Sequence, residues 1–241
     1  MDNCKHCSEP VSGNYCSNCG QPVRLRRIDR HYIMHEIRDV LFTDSGFLYT
    51  IKRMFVKPGD SVRHYLNVDR SRFVKAVTFL VISSLIYTVV CHLFHIGAET
   101  YSMQEPEIEL PTMNLFVNWT IDNHGYTSIL VGFLMSFWIK LFFRKSDLNL
   151  FEIFVLMCFI SGISELCISV VLIFQGLTQI RLFHISILFV MVYQIWAIGQ
   201  FFDKRKAVSY IKAFLSYALG IVTFSFITTF IVILFDVIIK Q

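Results

Sequence analysis

The chain has 241 residues, of which 54% are hydrophobic and only 17% charged, with a mean hydropathy of +0.54 and a formal net charge of +4. That composition lies outside the range of soluble globular domains and points to a chain that crosses a bilayer several times. It contains no nucleophile elbow, phosphate loop or paired catalytic carboxylates, so none of the common enzyme classes is indicated and a non-enzymatic role is the default.

The first element is a cysteine-rich head, residues 1–23, with the pairs Cys4-x2-Cys7 and Cys16-x2-Cys19. Each CxxC turn lets two thiolates converge, and two turns supply the tetrahedral ligand set that structural zinc prefers. Pro10, Gly13 and Asn14 between the pairs suit a tight hairpin. A stretch this short cannot bury a core, so metal binding would supply most of its folding free energy. Disulfides need an oxidising compartment and no signal peptide precedes the pairs; a dithiol redox motif needs only one CxxC beside a strand–helix unit. The cysteines therefore read as a small zinc ribbon, with His6 as a spectator.

Residues 24–72 are too polar to span a bilayer and too patterned for a loose linker. Ile33, Met34, Ile37, Val40 and Leu41 mark one face of a helix over 29–42, with Arg30, His31, His35, Arg38 and Asp39 on the other. A second helix is expected near 46–56, carrying Phe47, Leu48, Ile51, Met54 and Phe55. Pro58-Gly59 should break it, with Asp60 or Ser61 capping a third helix through Leu66. Basic amphipathic segments beside a first span are attracted to anionic headgroups and pack under the bundle. The clustered Lys and Arg from Lys52 to Lys75 thus read as contacts to lipid phosphate, and no nucleic-acid partner is expected. His31, His35 and Glu36 form a juxtamembrane candidate, since histidines at i and i+4 share a helix face and that spacing can bind zinc. Glu36 follows the pair and lies off their face, so solvated histidines compete with this reading.

These residues carry a resemblance. Cys4, Cys7, Tyr15, Cys16, Cys19, Gly20 and Gln21, then His35-Glu36-Ile37, Gly46-Phe47-Leu48-Tyr49-Thr50, Lys57-Pro58-Gly59 and Arg63-x-Tyr65-Leu66, resemble a bacterial membrane family catalogued as domain of unknown function 3667. The resemblance covers roughly residues 1–80. Relatives often place a proline shortly before the first span, where this chain reads Lys75-Ala76-Val77. It implies an integral membrane protein with an N-terminal zinc ribbon and carries no activity over.

From residue 73 onward the chain reads as an all-α bundle of about five spans, near 74–96, 126–143, 148–174, 182–202 and 213–239. Each approaches the ~20 helical residues that a bilayer requires, and none shows the period-2 alternation of a barrel strand. The second is interrupted by Lys140, which can snorkel from near a helix end. All but two of the 22 Lys and Arg, Arg181 and Lys240, fall on one side of this arrangement, and the first opposite loop carries Glu99, Glu105, Glu107, Glu109 and Asp122. The positive-inside rule then places the N-terminus in the cytoplasm of a bacterial inner-membrane protein and the C-terminus outside. A reducing cytoplasm keeps the four thiols free for zinc.

Ionisable residues inside a membrane are costly and are functional candidates by default. Glu165 is the carboxylate well inside a span, on a stripe with Cys158, Ser161, Gly162 and Ser169. His92 and His95 at the outer end of the first span, His184 at the start of the fourth and Asp236 near the end of the fifth are its expected partners in an outward-facing site. Small residues that merely let helices pack closely are the competing explanation. Three functions remain open: recruitment of a cytoplasmic protein partner, or sensing, through the zinc ribbon; a small transporter or channel component using Glu165; and a membrane enzyme acting on lipids through His31, His35 and Glu36.

Overall fold

A computed structural model describes residues 2–3, 10–11, 13, 17–18, 46–68, 70, 72–94, 119–120, 123–178, 180 and 182–239. The chain divides into two compact units, Met1–Thr43 and Asp44–Gln241. In the first, strand β1 (Asp2–Asn3) pairs antiparallel with β2 (Pro10–Val11), Asp2 opposite Val11 and Asn3 opposite Pro10. Cys4, Cys7, Cys16 and Cys19 lie outside the described residues, as do His31, His35, Glu36 and the helix expected over 29–42.

The second unit is helical: α1 (Phe47–Val56), α2 (Pro58–Asn67), α3 (Ala76–Leu93), α4 (His124–Phe142), α5 (Leu150–Thr178), α6 (Phe183–Asp203) and α7 (Ala207–Ile239). Helices α3 to α7 are each long and apolar enough to cross a membrane, and they fall where hydropathy places five spans. The chain is an integral membrane protein. Lys140 does not interrupt α4. It sits in the last turn and folds its ammonium onto the carbonyl of Leu148 at 2.5 Å, in the connection to α5. That connection ends in a reciprocal cap: the Glu152 amide donates to the Asn149 side chain (2.9 Å) and the Asn149 amide to the Glu152 carboxylate (2.8 Å). Helix α7 starts at Ala207, ahead of the apolar run expected from 213, because hydropathy marks the crossing and not the helix end. Lys212 lies within the helix, its ammonium 5.5 Å from the centre of the Phe143 ring.

Two contacts fix which ends meet. Phe143, just past α4, stacks on Phe202 near the end of α6 at 3.8 Å between centroids, and Phe94, just past α3, packs over Gly176 near the end of α5. So α3 and α5 end at the face where α4 begins, opposite the face where α4 and α6 end. Helix α5 is central, packing against α3, α4, α6 and the α1–α2 hairpin.

The hairpin is a built part of that core. Gly46 adopts φ 140°, ψ −157°, a region open to glycine and strained for other residues. Its amide donates to the Arg72 carbonyl (3.0 Å), while Thr50, fully buried, donates from its hydroxyl to the Gly46 carbonyl (2.8 Å) and accepts from the Val74 amide (3.1 Å). The turn before α1 is thereby closed onto the entry to α3. Helix α2 begins at Pro58 itself, not at a cap on Asp60 or Ser61; proline at the first turn needs no amide partner. Ser61 instead donates to the Arg53 carbonyl at 2.9 Å, tying α2 to α1. Gly59 lies so close to the main chain of Gln200 and Phe201 that a Cβ would sit 2.6 Å from the Gln200 carbonyl carbon. That approach lets Arg63 reach the open carbonyls at the end of α6, donating to Phe201 (2.8 Å) and Gln200 (3.3 Å) and pairing with Asp60 (2.8 Å). The Arg63 guanidinium holds the Asp60 carboxyl below its ordinary range, with burial opposing it and Lys204 assisting. Tyr193 of α6 donates to the Met54 carbonyl at 3.0 Å.

Above the hairpin lies an aromatic layer. Phe79 and Phe159 are fully buried, 5.8 Å apart between ring centroids, with Phe47 5.2 Å from Phe79 and Tyr65 5.0 Å from Phe159. Gly162 rests on Phe79 so closely that a Cβ would approach two ring carbons to 2.7 Å.

Candidate functional site

One turn of α5 beyond Gly162 stands Glu165, 4% exposed, where α5 packs against α3. Its carboxylate is held from two neighbouring helices. Ser84 of α3 donates to Oε2 at 2.7 Å, and Ser128 of α4 donates to Oε1 at 2.5 Å. His124, the first residue of α4, places Nε2 3.4 Å from Oε1. Its ring packs on Tyr87 of α3 at 4.2 Å between centroids, and its side chain remains 27% exposed. Charged hydrogen bonds of this kind are roughly twice as strong as neutral ones, and a buried carboxylate without them would be prohibitive.

The donors are not locked to one protonation state. Ser84 Oγ also lies 3.0 Å from the Leu80 carbonyl. An ionised Glu165 accepts from both serines and from the His124 side. A protonated Glu165 has acceptors of its own: a neutral His124 Nε2, or Ser84 Oγ, whose proton then turns to Leu80. Both forms are satisfied without moving a helix.

The expected stripe on α5 is present. Cys158, Gly162 and Ser169 are buried and Ser161 half-buried, with Ser169 donating to the main-chain carbonyl of Glu165 at 2.7 Å. On the adjoining face Ser164 accepts from Gln194 of α6 at 3.1 Å, while Gln194 Oε1 is buried with no hydrogen-bond partner among the described residues.

The expected partners differ. His92 is exposed in the last turn of α3, eight residues beyond Ser84 and so about 12 Å farther along the helix. It does not join the described contacts of Glu165. His184 and Asp236 lie in α6 and α7, but their side chains are outside the described residues, as is His95. The histidine that does reach Glu165, His124, fell in the loop ahead of the expected second span. A signal was available: His124 and Ser128 are four apart and so share a helix face. Among the described residues no group of three or more His, Cys, Asp or Glu is placed to hold a metal ion.

Residues 44–88 match the family model described as protein of unknown function (DUF3667). The match bears out the resemblance over the hairpin, the turn at Gly46 and the part of α3 that carries Ser84 and Tyr87. No curated protein and no solved structure matches the chain.

Proposed function

We infer that this chain, whose residues 44–88 carry the DUF3667 segment, is a membrane protein that binds and releases protons at Glu165, as a small proton-linked transporter or a component of one. The observation behind this reading is the double provision at the site: Ser84 has an acceptor in Leu80 as well as in Glu165, so the buried carboxyl is satisfied charged or neutral. The distribution of Lys and Arg supports placing the hairpin face, with Lys140 to Lys145 and Lys204 to Lys212, in the cytoplasm of a bacterial inner membrane. The same basic groups suit anionic headgroups there.

The purified protein in sealed liposomes with an internal pH-sensitive dye is expected to take up protons under an imposed potential. Glu165→Gln, which keeps the shape and loses the titration, should abolish uptake. Undiminished uptake by that variant removes this function.

A second reading concerns the N-terminal unit as a cytoplasmic recruitment or sensing module. It is favoured by the pairing of Asp2–Asn3 with Pro10–Val11, because those strands bracket the sequence position of Cys4 and Cys7 as the arms of a metal knuckle do. Four thiolates fit structural zinc, which would be held by Cys4, Cys7, Cys16 and Cys19. About one zinc per chain is expected by elemental analysis, and Cys4→Ser or Cys19→Ser should lose it while the five-span unit still inserts. Full zinc content in both variants would end this reading.

A further inference from the structure

We propose that in this arrangement Glu165 exchanges its proton with the face of the membrane where α4 begins, that His124 carries the proton between them, and that onward release to the hairpin face needs α3 and α5 to part at the Phe79 layer. This rests on the proton-binding reading of Glu165 and adds its route and sidedness. Toward the hairpin face, α3 and α5 run back from Ser84 and Glu165 into Phe79, Phe159, Ile160 and Ile163, each at most 1% exposed. Gly162 is pressed onto Phe79, leaving no space for even a methyl group. The hairpin closes that layer from below with Phe47 and Tyr65. The polar groups on that side, Ser83, Ser136 and Ser164, each donate to a main-chain carbonyl of their own helix, and none is a described partner of Glu165.

Toward the other face the contacts are polar and progressively exposed. Ser128 is half-buried, and His124, one turn nearer the start of α4, is 27% exposed. The seam between α3 and α5 is closed at that end by Tyr87, Val90, Cys91 and Leu172, so the route follows α4.

The transfer is a simple acid–base step. An imidazolium at His124 gives up its Nε2 proton, an O–H bond forms at Glu165 Oε1, and the neutral imidazole takes a proton from hydronium at the open face, leaving water. At 3.4 Å the pair needs only a slight closing movement to reach hydrogen-bond distance. Among the described residues few other charges bear on it. Tyr87 of α3 stacks on the imidazole and Cys158 of α5 is within electrostatic reach of Glu165. Helix α6 presents the neutral Gln194 to the adjacent Ser164, and α7 packs on the far side of α4. The charged groups of the hairpin, Lys52, Arg53, Asp60 and Arg63, belong to the sealed end.

Sidedness is tested with Ser128→Cys in sealed vesicles of defined orientation, using a membrane-impermeant trimethylammonium methanethiosulfonate read by peptide mapping. Buried Cys158 serves as the internal reference. Labelling at position 128 is expected at least tenfold faster from the face where α4 begins. Equal rates, faster labelling from the hairpin face, or none from either face overturns the route. The carrier role is tested with His124→Ala, expected to slow proton uptake at least tenfold and to be restored by added imidazole. His124→Gln, which keeps a hydrogen bond and cannot ferry a proton, should remain slow. Failure of imidazole to restore uptake, or full uptake by the Gln variant, removes His124 from the path. Uptake lost in Glu165→Gln together with two-sided labelling would leave proton binding standing and defeat only the sidedness.

Discussion

The side chains of this protein are tuned at a few positions by very local geometry. Ser84 is one, since it completes the shell of Glu165 and offers the carboxyl its second arrangement. Ser84→Ala leaves a buried carboxylate oxygen without its donor, which costs about 1–3 kcal/mol. Thermal unfolding in detergent should record a lower midpoint for that variant. Gly46 is another. Its φ of 140° is accessible to glycine, so Gly46→Ala is expected to destabilise by roughly 1–3 kcal/mol. The loss should appear as faster amide exchange in α1 and at Val74, whose amide is held by Thr50.

At the scale of elements, the α1–α2 hairpin is the part whose role the sequence leaves most open, and its docking to α6 depends on two residues. Gly59 permits the approach and Arg63 uses it, satisfying two carbonyls at a helix end where an unpaired acceptor is costly. Arg63→Lys keeps the charge and loses the fork, so it should loosen the hairpin by about 1–3 kcal/mol. Protection of α2 amides from exchange should fall while the spans stay protected. Asp60 adds a pH dependence. Its folded carboxyl lies below the ordinary value because of Arg63, so its contribution is complete above that value and is lost as pH falls through the folded one. Hairpin protection should therefore decline below about pH 4, and Asp60→Asn should remove that decline without abolishing docking.

For the whole molecule, the five candidate spans among the described residues predict that the two termini lie on opposite sides. An impermeant reagent should reach a tag after Gln241 and one before Met1 from opposite faces, with the C-terminal tag on the face where α4 begins. The described contacts of Glu165 come from α3 and α4. Chelation that strips zinc is then expected to leave proton uptake through Glu165 unchanged in liposomes.

Much of this architecture was determined by the sequence alone. Apolar runs of span length announced α3 to α7, because hydropathy is a property of contiguous residues, and the one-sided placement of Lys and Arg ordered their ends. Glu165 stood out because a carboxylate among apolar residues is conspicuous at any register. Pro58-Gly59 was legible as a break, while Gly46 was read only as the start of a helix. The use of that break was not legible, since the carbonyls that Arg63 caps lie 137 and 138 residues away. Only the tertiary structure decided what surrounds Glu165. Ser84 and Ser128 are 81 and 37 residues distant, and His124 lies where hydropathy alone reads loop. Which faces of α3, α4 and α5 meet is set by how side chains interlock: Gly162 makes room for Phe79, and Tyr87 for the His124 ring. In a membrane helix that is apolar on all sides, no periodicity marks the inward face, so the partners of a buried charge emerge only when the helices are packed.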